Sequence, residues 1–193
     1  AVLTIFFVLE TGFVITYLPH ILSSFICWFN FILDYMFFKI MKSIENNFEN
    51  AQVNELLTKH FIELRSVSPE GSTHVLDIPG LKVPSIKFWS LWENEELIGC
   101  GALKFLGEGH GEFKSIRVAD KFRKKGFGIK IINHLISEAK KLNIKKLSIE
   151  TGSGSFFMPA RKLFEKTGFK PCEPFAHYKK DPNSCYFSLN IVI

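Results

Sequence analysis

A chain of 193 residues with 47% hydrophobic and 22% charged residues has room for one domain with a sizeable core, while two full-sized domains would be crowded. Its formal charge of +5 comes from 24 Lys and Arg spread along the chain without an arginine-rich tail, so charge does not single out nucleic acid and suits a small anionic ligand equally well. Cys27, Cys100, Cys172 and Cys185 form no CxxC pair and the six histidines form no HExxH cluster, so neither a zinc site nor a disulfide framework is signalled; we expect packed, reduced thiols and no metal.

The first forty residues hold 8 of the 21 Phe and three charges, Glu10, Asp34 and Lys39. Between Glu10 and Asp34 run 23 uncharged residues, Thr11 to Leu33, enough to cross a bilayer although Pro19, His20 and Ser23-Ser24 interrupt them. Segment 1–40 has three readings. As a membrane anchor, its flanking Lys39 and Lys42 would hold the C-terminal part in the cytoplasm. As a non-native extension, it would explain why the chain opens on Ala1 and the globular pattern on Met41. The third reading is an extra packed helix. A secretory signal is disfavoured, because there is no basic n-region or small-residue cleavage site. Residues 41–193 are expected to form the functional domain, in the cytoplasm, with contact to a membrane only if residues 1–40 are native. That part carries a net charge of +6.

From Met41 the pattern alternates between element types. Val53, Leu56, Leu57, Phe61 and Leu64 have helical spacing, and Ser66 to Pro84, punctuated by Pro69, Gly71 and Pro79-Gly80, reads as loop. Three β-like runs come next, Ile86 to Trp92, Leu97 to Leu106 and Glu112 to Val118, joined by short Gly-, Asn- and Glu-containing connections that imply an antiparallel meander. Ile129, Ile132, Leu135, Ile136, Ala139 and Leu142 then form one helix face. Lys145 to Glu150 reads as a strand, Ala160 to Thr167 as a helix between Pro159 and Gly168, and Cys185 to Ile191 as a closing strand. The fold class is therefore α/β, a mixed sheet with helices on its faces: an antiparallel meander, then β-α-β-α-β.

The chemistry concentrates where the third strand gives way to the long helix, at Arg123, Lys124, Lys125, Gly126, Phe127 and Gly128. Glycines there let the backbone turn tightly and approach a ligand, and the first free helix amides carry the positive end of the dipole toward phosphate oxygens. A pyrophosphate suits such a turn. No GxxxxGK[ST] loop is present, and GxGxxG in a βαβ setting is absent as well.

An Arg-x-x-Gly-x-Gly turn that leaves the strand Glu112 to Val118 and enters an amphipathic helix resembles the acetyl-CoA motif of the GNAT superfamily of N-acetyltransferases. The second half is similar too, from strand Leu147 to Glu150 through Ala160-Arg161-Lys162-Leu163-Phe164-Glu165-Lys166-Thr167 to Gly168-Phe169. Within the superfamily the chain is most similar to uncharacterised bacterial acetyltransferases carrying Glu150-Thr-Gly-Ser-Gly154 and Asp181-Pro-Asn-Ser184.

This resemblance implies transfer of an acetyl group from acetyl-CoA to a small-molecule primary amine by direct attack in a ternary complex, without metal. It implies that backbone groups of Ile116, Arg117 and Val118 pair with the pantetheine arm. Glu112, eleven residues before Arg123, matches the base of histone-acetylating members, and Glu150 is the second candidate. Strand alternation would put Glu112 on one face with Lys114, Ile116 and Val118. Where many members carry an acidic tyrosine the chain has Phe164, so either water or a tyrosine from elsewhere, such as Tyr178, protonates the thiolate. Arg65 and His74 are candidate anchors for a substrate carboxylate, and Phe88, Trp89 and Trp92 are read as core. A catalytically silent CoA sensor and a basic nucleic-acid-binding module are the competing classes; no nucleic-acid partner is expected, and a homodimer is compatible with the sequence.

Overall fold

The computed structural model describes residues 41–69 and 71–192; the readings that fall on segment 1–40 lie outside the described residues. Seven strands form one mixed sheet in the order β1-β2-β3-β4-β5-β7-β6. Strand β1 (Lys42–Glu45) and helix α1 (Ala51–Val67) come first, then a short helix α2 (Ile78–Leu81) and the meander β2 (Ile86–Glu93), β3 (Glu96–Gly107) and β4 (His110–Val118). Helix α3 (Phe127–Lys141), β5 (Lys146–Gly152), α4 (Met158–Lys166), β6 (Lys170–Pro171) and β7 (Ser184–Asn190) complete it. The mixed α/β architecture read from the sequence is the one observed.

Period-two alternation divides the sheet between two cores. Trp89, Leu91, Leu103 and Phe113 face α3 and α4, joining Ile131, Ile132, Leu135 and Phe164. Phe88, Trp92, Cys100 and Ala102 face the opposite way, against Val53, Leu56 and Leu57 of α1 and Leu81 of α2. Phe88, Trp89 and Trp92, the aromatic residues assigned to the core, are all buried, Trp89 on the α3 side and the other two on the α1 side. Cys100 is fully buried and burial pushes its thiol up to about 12, the behaviour of a packed side chain and not of a nucleophile.

Three elements differ from the sequence reading. Strand β1 has no signature of its own: Lys-Ser-Ile-Glu has one apolar residue, and pairing with β2 from Lys42↔Trp92 to Glu45↔Trp89 holds it at the sheet edge. The stretch read as loop contains α2, started by the Asp77 carboxylate accepting from Gly80 N–H at 2.8 Å with Pro79 in the first turn. Strand β6, two exposed residues, is seen only through its pairing with β7. No helix among the described residues is long and apolar enough to cross a membrane.

Candidate active site

Beyond β4 the chain makes a 3-10 turn, Asp120–Phe122, and enters α3 through Lys124 (φ 59°) and Gly126 (φ 83°). Gly126 caps α3 without any side-chain hydrogen bond, so the first amides of the helix are open to a ligand. A Cβ placed on Gly126 would meet nothing within 4 Å, and the left-handed backbone there favours glycine. The second glycine serves packing instead. A Cβ on Gly128 would lie 2.8 Å from Leu163 Cδ2, so Gly128 lets α3 and α4 approach each other.

The turn's side chains also divide. Lys124 and Arg123 line a neighbouring cleft, and Arg123 is tied to Asp120 at 3.1 Å. Lys125 lies over the Phe122 ring at 6.0 Å, outside that lining. Phe127 is buried edge-on against Phe122, so only its backbone can meet a ligand.

The cleft exists because β4 and β5 part. They pair in parallel at only three positions, His110↔Lys146, Gly111↔Leu147 and Glu112↔Ser148, although β4 runs on to Val118 and β5 to Gly152. Between the diverging ends opens a cavity of about 640 Å³, walled by residues 113–118 and 149–152, by the turn and α4, and by His60, Leu64 and Ser72 to Val75. Among the described residues Phe113 to Val118 have no strand partner on that side, which leaves a row of backbone groups facing the cleft.

Strand alternation does not survive the whole of β4. The register with β3 shifts between Cys100 and Ala102, and opposite that point Ser115 has φ 49°, a β-bulge. Glu112 and Lys114 do share a face. Past the bulge the sides exchange: Ile116 and Val118 pack toward α3, and Arg117 turns to the α1 side, beside Glu63 of that helix. The expectation that Glu112, Lys114, Ile116 and Val118 share one face is therefore corrected.

The candidate acid–base residues occupy unequal positions. Glu112 is fully buried and does not line the cleft; its Oε1 accepts from the Tyr178 hydroxyl at 2.5 Å and lies 3.0 Å from Lys114 Nζ. Lys114 also donates to the Tyr178 oxygen at 2.8 Å, closing a three-membered network, and it lines the cleft. Burial and the adjacent Glu112 carboxylate push the Tyr178 hydroxyl well above the usual tyrosine range.

Glu150 does line the cleft, with Oε1 accepting from Ser184 Oγ at 2.7 Å. Burial raises its carboxyl above the ordinary glutamate range against the opposing pull of Ser184 and of the charges of His74 and Lys114. His74 lines the cleft edge-on to Tyr178, ring centroids 4.9 Å apart. Arg65 does not: it is exposed on α1 and lies over the Phe61 ring at 5.5 Å, which corrects its placement in the acceptor pocket.

Ser184 closes the Asp181-Pro-Asn-Ser184 segment noted in the sequence, whereas Lys114 and His60 carry no sequence signal as site residues. His60 sits on the buried face of α1, where helical spacing reads it as core, and contacts across tens of residues leave no local mark. Among the described residues no group of three or more His, Cys, Asp or Glu could hold a metal.

Residues 50–169 match the acetyltransferase (GNAT) family, and the chain belongs to that family of N-acetyltransferases. It is 47% identical over 137 residues to the uncharacterized N-acetyltransferase YsnE of Bacillus subtilis (strain 168), covering 71% of this chain and 91% of that protein. It is 40% identical over 139 residues to the uncharacterized N-acetyltransferase YedL of Escherichia coli (strain K12), covering 72% and 87%. Its fold matches a Bacillus subtilis acetyltransferase solved in complex with CoA, with a TM-score of 0.60 at 20% identity over 79% of this chain and 100% of that one.

Proposed function

We propose that the protein transfers an acetyl group from acetyl-CoA to a primary amine of a small molecule or amino acid, by direct attack of the amine. The supporting observation is the chemical polarity of the cleft. One end presents uncapped helix amides, a Cβ-free backbone at Gly126 and the Lys124 ammonium, which suit the phosphates of CoA. The unpaired edge of Ile116, Arg117 and Val118 suits its amide-bearing arm, and the other end presents Glu150. Acetyl-CoA held there would supply an activated acyl group.

Glu150 is assigned as the proton acceptor. It faces the cleft, Ser184 fixes its orientation, and its raised affinity for protons brings it closer to the value a base needs near neutrality. Glu112 and Tyr178 are assigned as positioning residues that hold Lys114, because the Tyr178 hydroxyl is committed to Glu112 Oε1 and neither residue lines the cleft. Phe164 lines the cleft without a proton to give, so water is left to protonate the departing thiolate.

The test is to incubate the protein with acetyl-CoA and a panel of amines and amino acids, following thiol release and thermal stabilisation. Turnover with one class of amine is expected. Stabilisation by CoA without turnover on any amine would favour a silent CoA sensor, the reading that Phe164 permits. Absence of stabilisation would sink the transferase reading.

A further inference from the structure

One wall of the cleft carries polar groups that the protein itself leaves unsatisfied. Seven buried side-chain nitrogen or oxygen atoms among the described residues make no regular hydrogen bond; one of them, Glu63 Oε2, is ion-paired with Arg117 Nη1, and four others belong to three cleft-lining residues: His60 Nδ1, Ser115 Oγ, and Arg117 Nε and Nη2. His60 and Arg117 are each only 7% exposed. Buried donors are normally paired, so such a concentration facing a cavity marks a place where a ligand brings acceptors.

Arg117 identifies the kind of acceptor. Its Nη1 is held by the Glu63 carboxylate, which fixes the plane of the guanidinium. Nε and Nη2 remain, and together they form the side-on edge of the fork, two parallel N–H donors spaced for the two oxygens of a carboxylate. Asp120 Oδ1, at 3.7 Å from Nη2, is too far to occupy that edge, and Asp120 is engaged by Lys59 and Arg123. Arg123, 3.9 Å from Glu63, adds positive charge nearby. His60 stays neutral beside Arg117 and can donate or accept at Nδ1, while the Ser115 hydroxyl stands on the bulge that turns Arg117 to this side.

We propose that Arg117, with Ser115 and His60, is a carboxylate subsite for the acetyl acceptor, so that the preferred substrate is an amine that also bears a carboxylate. This rests on the acyltransferase reading given above. Two features favour the acceptor over an oxyanion of CoA as the ligand. Arg117 opens from the face of the sheet covered by α1, whereas the open amides of the turn belong to α3 on the other face. Glu150, suited to an ammonium, lines the same cavity.

The experiment uses the full chain, acetyl-CoA, and α- and ω-amino acids each paired with the amine that lacks its carboxylate. The best amino acid is expected to exceed its amine partner by at least about tenfold in kcat/KM, and Arg117→Gln to shrink that preference to within about threefold, with the loss falling on the KM for the acceptor. Arg117→Lys, which keeps the charge and loses the side-on edge, is expected to restore only part of the preference. Equal use of both partners by the wild type overturns the subsite, and that comparison stands even if a variant fails to fold. A rise in KM for acetyl-CoA with an unchanged acceptor KM overturns it in favour of a CoA oxyanion. Should no amine release thiol, the transferase reading fails by itself; calorimetry of the same pairs against CoA-saturated protein then decides the subsite, with binding confined to the carboxylate-bearing partner supporting it and equal or no binding overturning it.

Discussion

The Tyr178 hydroxyl donates to Glu112 Oε1 across 2.5 Å, joining the loop before β7 to the beginning of β4. Lys114 completes the contact by reaching both groups, so Glu112 Oε1 is shared by a phenol and an ammonium while Oε2 stays buried without a hydrogen bond. A carboxylate that is fully buried and outside the cleft lining is poorly placed to take a proton from an incoming amine.

Tyr178→Phe is accordingly expected to act on stability more than on chemistry. Loss of a donor to a buried carboxylate costs about 1–3 kcal/mol, to be read as a lowered urea midpoint, while kcat falls less than tenfold by the order-of-magnitude scale of a lost general acid. A fall in kcat of about a hundredfold or more with unchanged stability would instead make Tyr178 the acid.

Glu150→Gln should separate function from stability. With the base removed, kcat is expected to drop about a hundredfold or more, and the rise of activity with pH through the Glu150 titration should disappear. Stability moves the other way. A carboxyl whose pKa is raised in the fold contributes stability that is present below the unfolded value and lost as pH rises through the folded one. The variant should therefore melt higher than wild type at pH 7, with the difference vanishing in acid. Melting curves at several pH values check the sign.

His60 gives a second pH signature of opposite direction. Burial and the Arg117 charge hold it near 4, below the unfolded value of 6.5, so stability is retained above 6.5 and lost as pH falls through 4. The full effect is on the order of 3 kcal/mol at 1.36 kcal/mol per unit. Replacing His60 with Gln should flatten this part of the stability–pH curve, measured by chemical denaturation between pH 4 and 7.

The two glycines of the turn should fail differently. Gly126→Asp is expected to weaken CoA binding by about a hundredfold or more, since it places a negative side chain at the phosphate end of the cleft. Gly128→Ala should destabilise by about 1–3 kcal/mol through overpacking against Leu163, and Leu163→Ala should relieve part of that loss. Isothermal titration with CoA and thermal melts distinguish the outcomes.

How much is legible in the sequence depends on the range of the forces concerned. Ile132, Leu135 and Ala139 announce α3 because helical period is local, and Gly126 stands out because a left-handed cap before a helix wants glycine. The bulge has no such marker: Ser115 adopts φ 49° with neither Gly nor Asn to signal it, and one extra residue puts Arg117 on the side of Glu112 and Lys114 and moves Ile116 and Val118 off it. Arg65 is misplaced by sequence reasoning because a helix start and length do not fix which polar residue faces the cleft. The Glu112–Tyr178 contact spans 66 positions and belongs to tertiary packing alone.

The three-rung junction of β4 with β5 makes the sheet an unfinished one. A ligand lying along Phe113 to Val118 would serve as a surrogate strand, knitting together halves that otherwise meet at His110, Gly111 and Glu112. Binding and rigidity are then one event: backbone amides of this edge should exchange with deuterium readily in the free protein and slowly in the complex, while those of β2 and β3, paired on both sides, barely change.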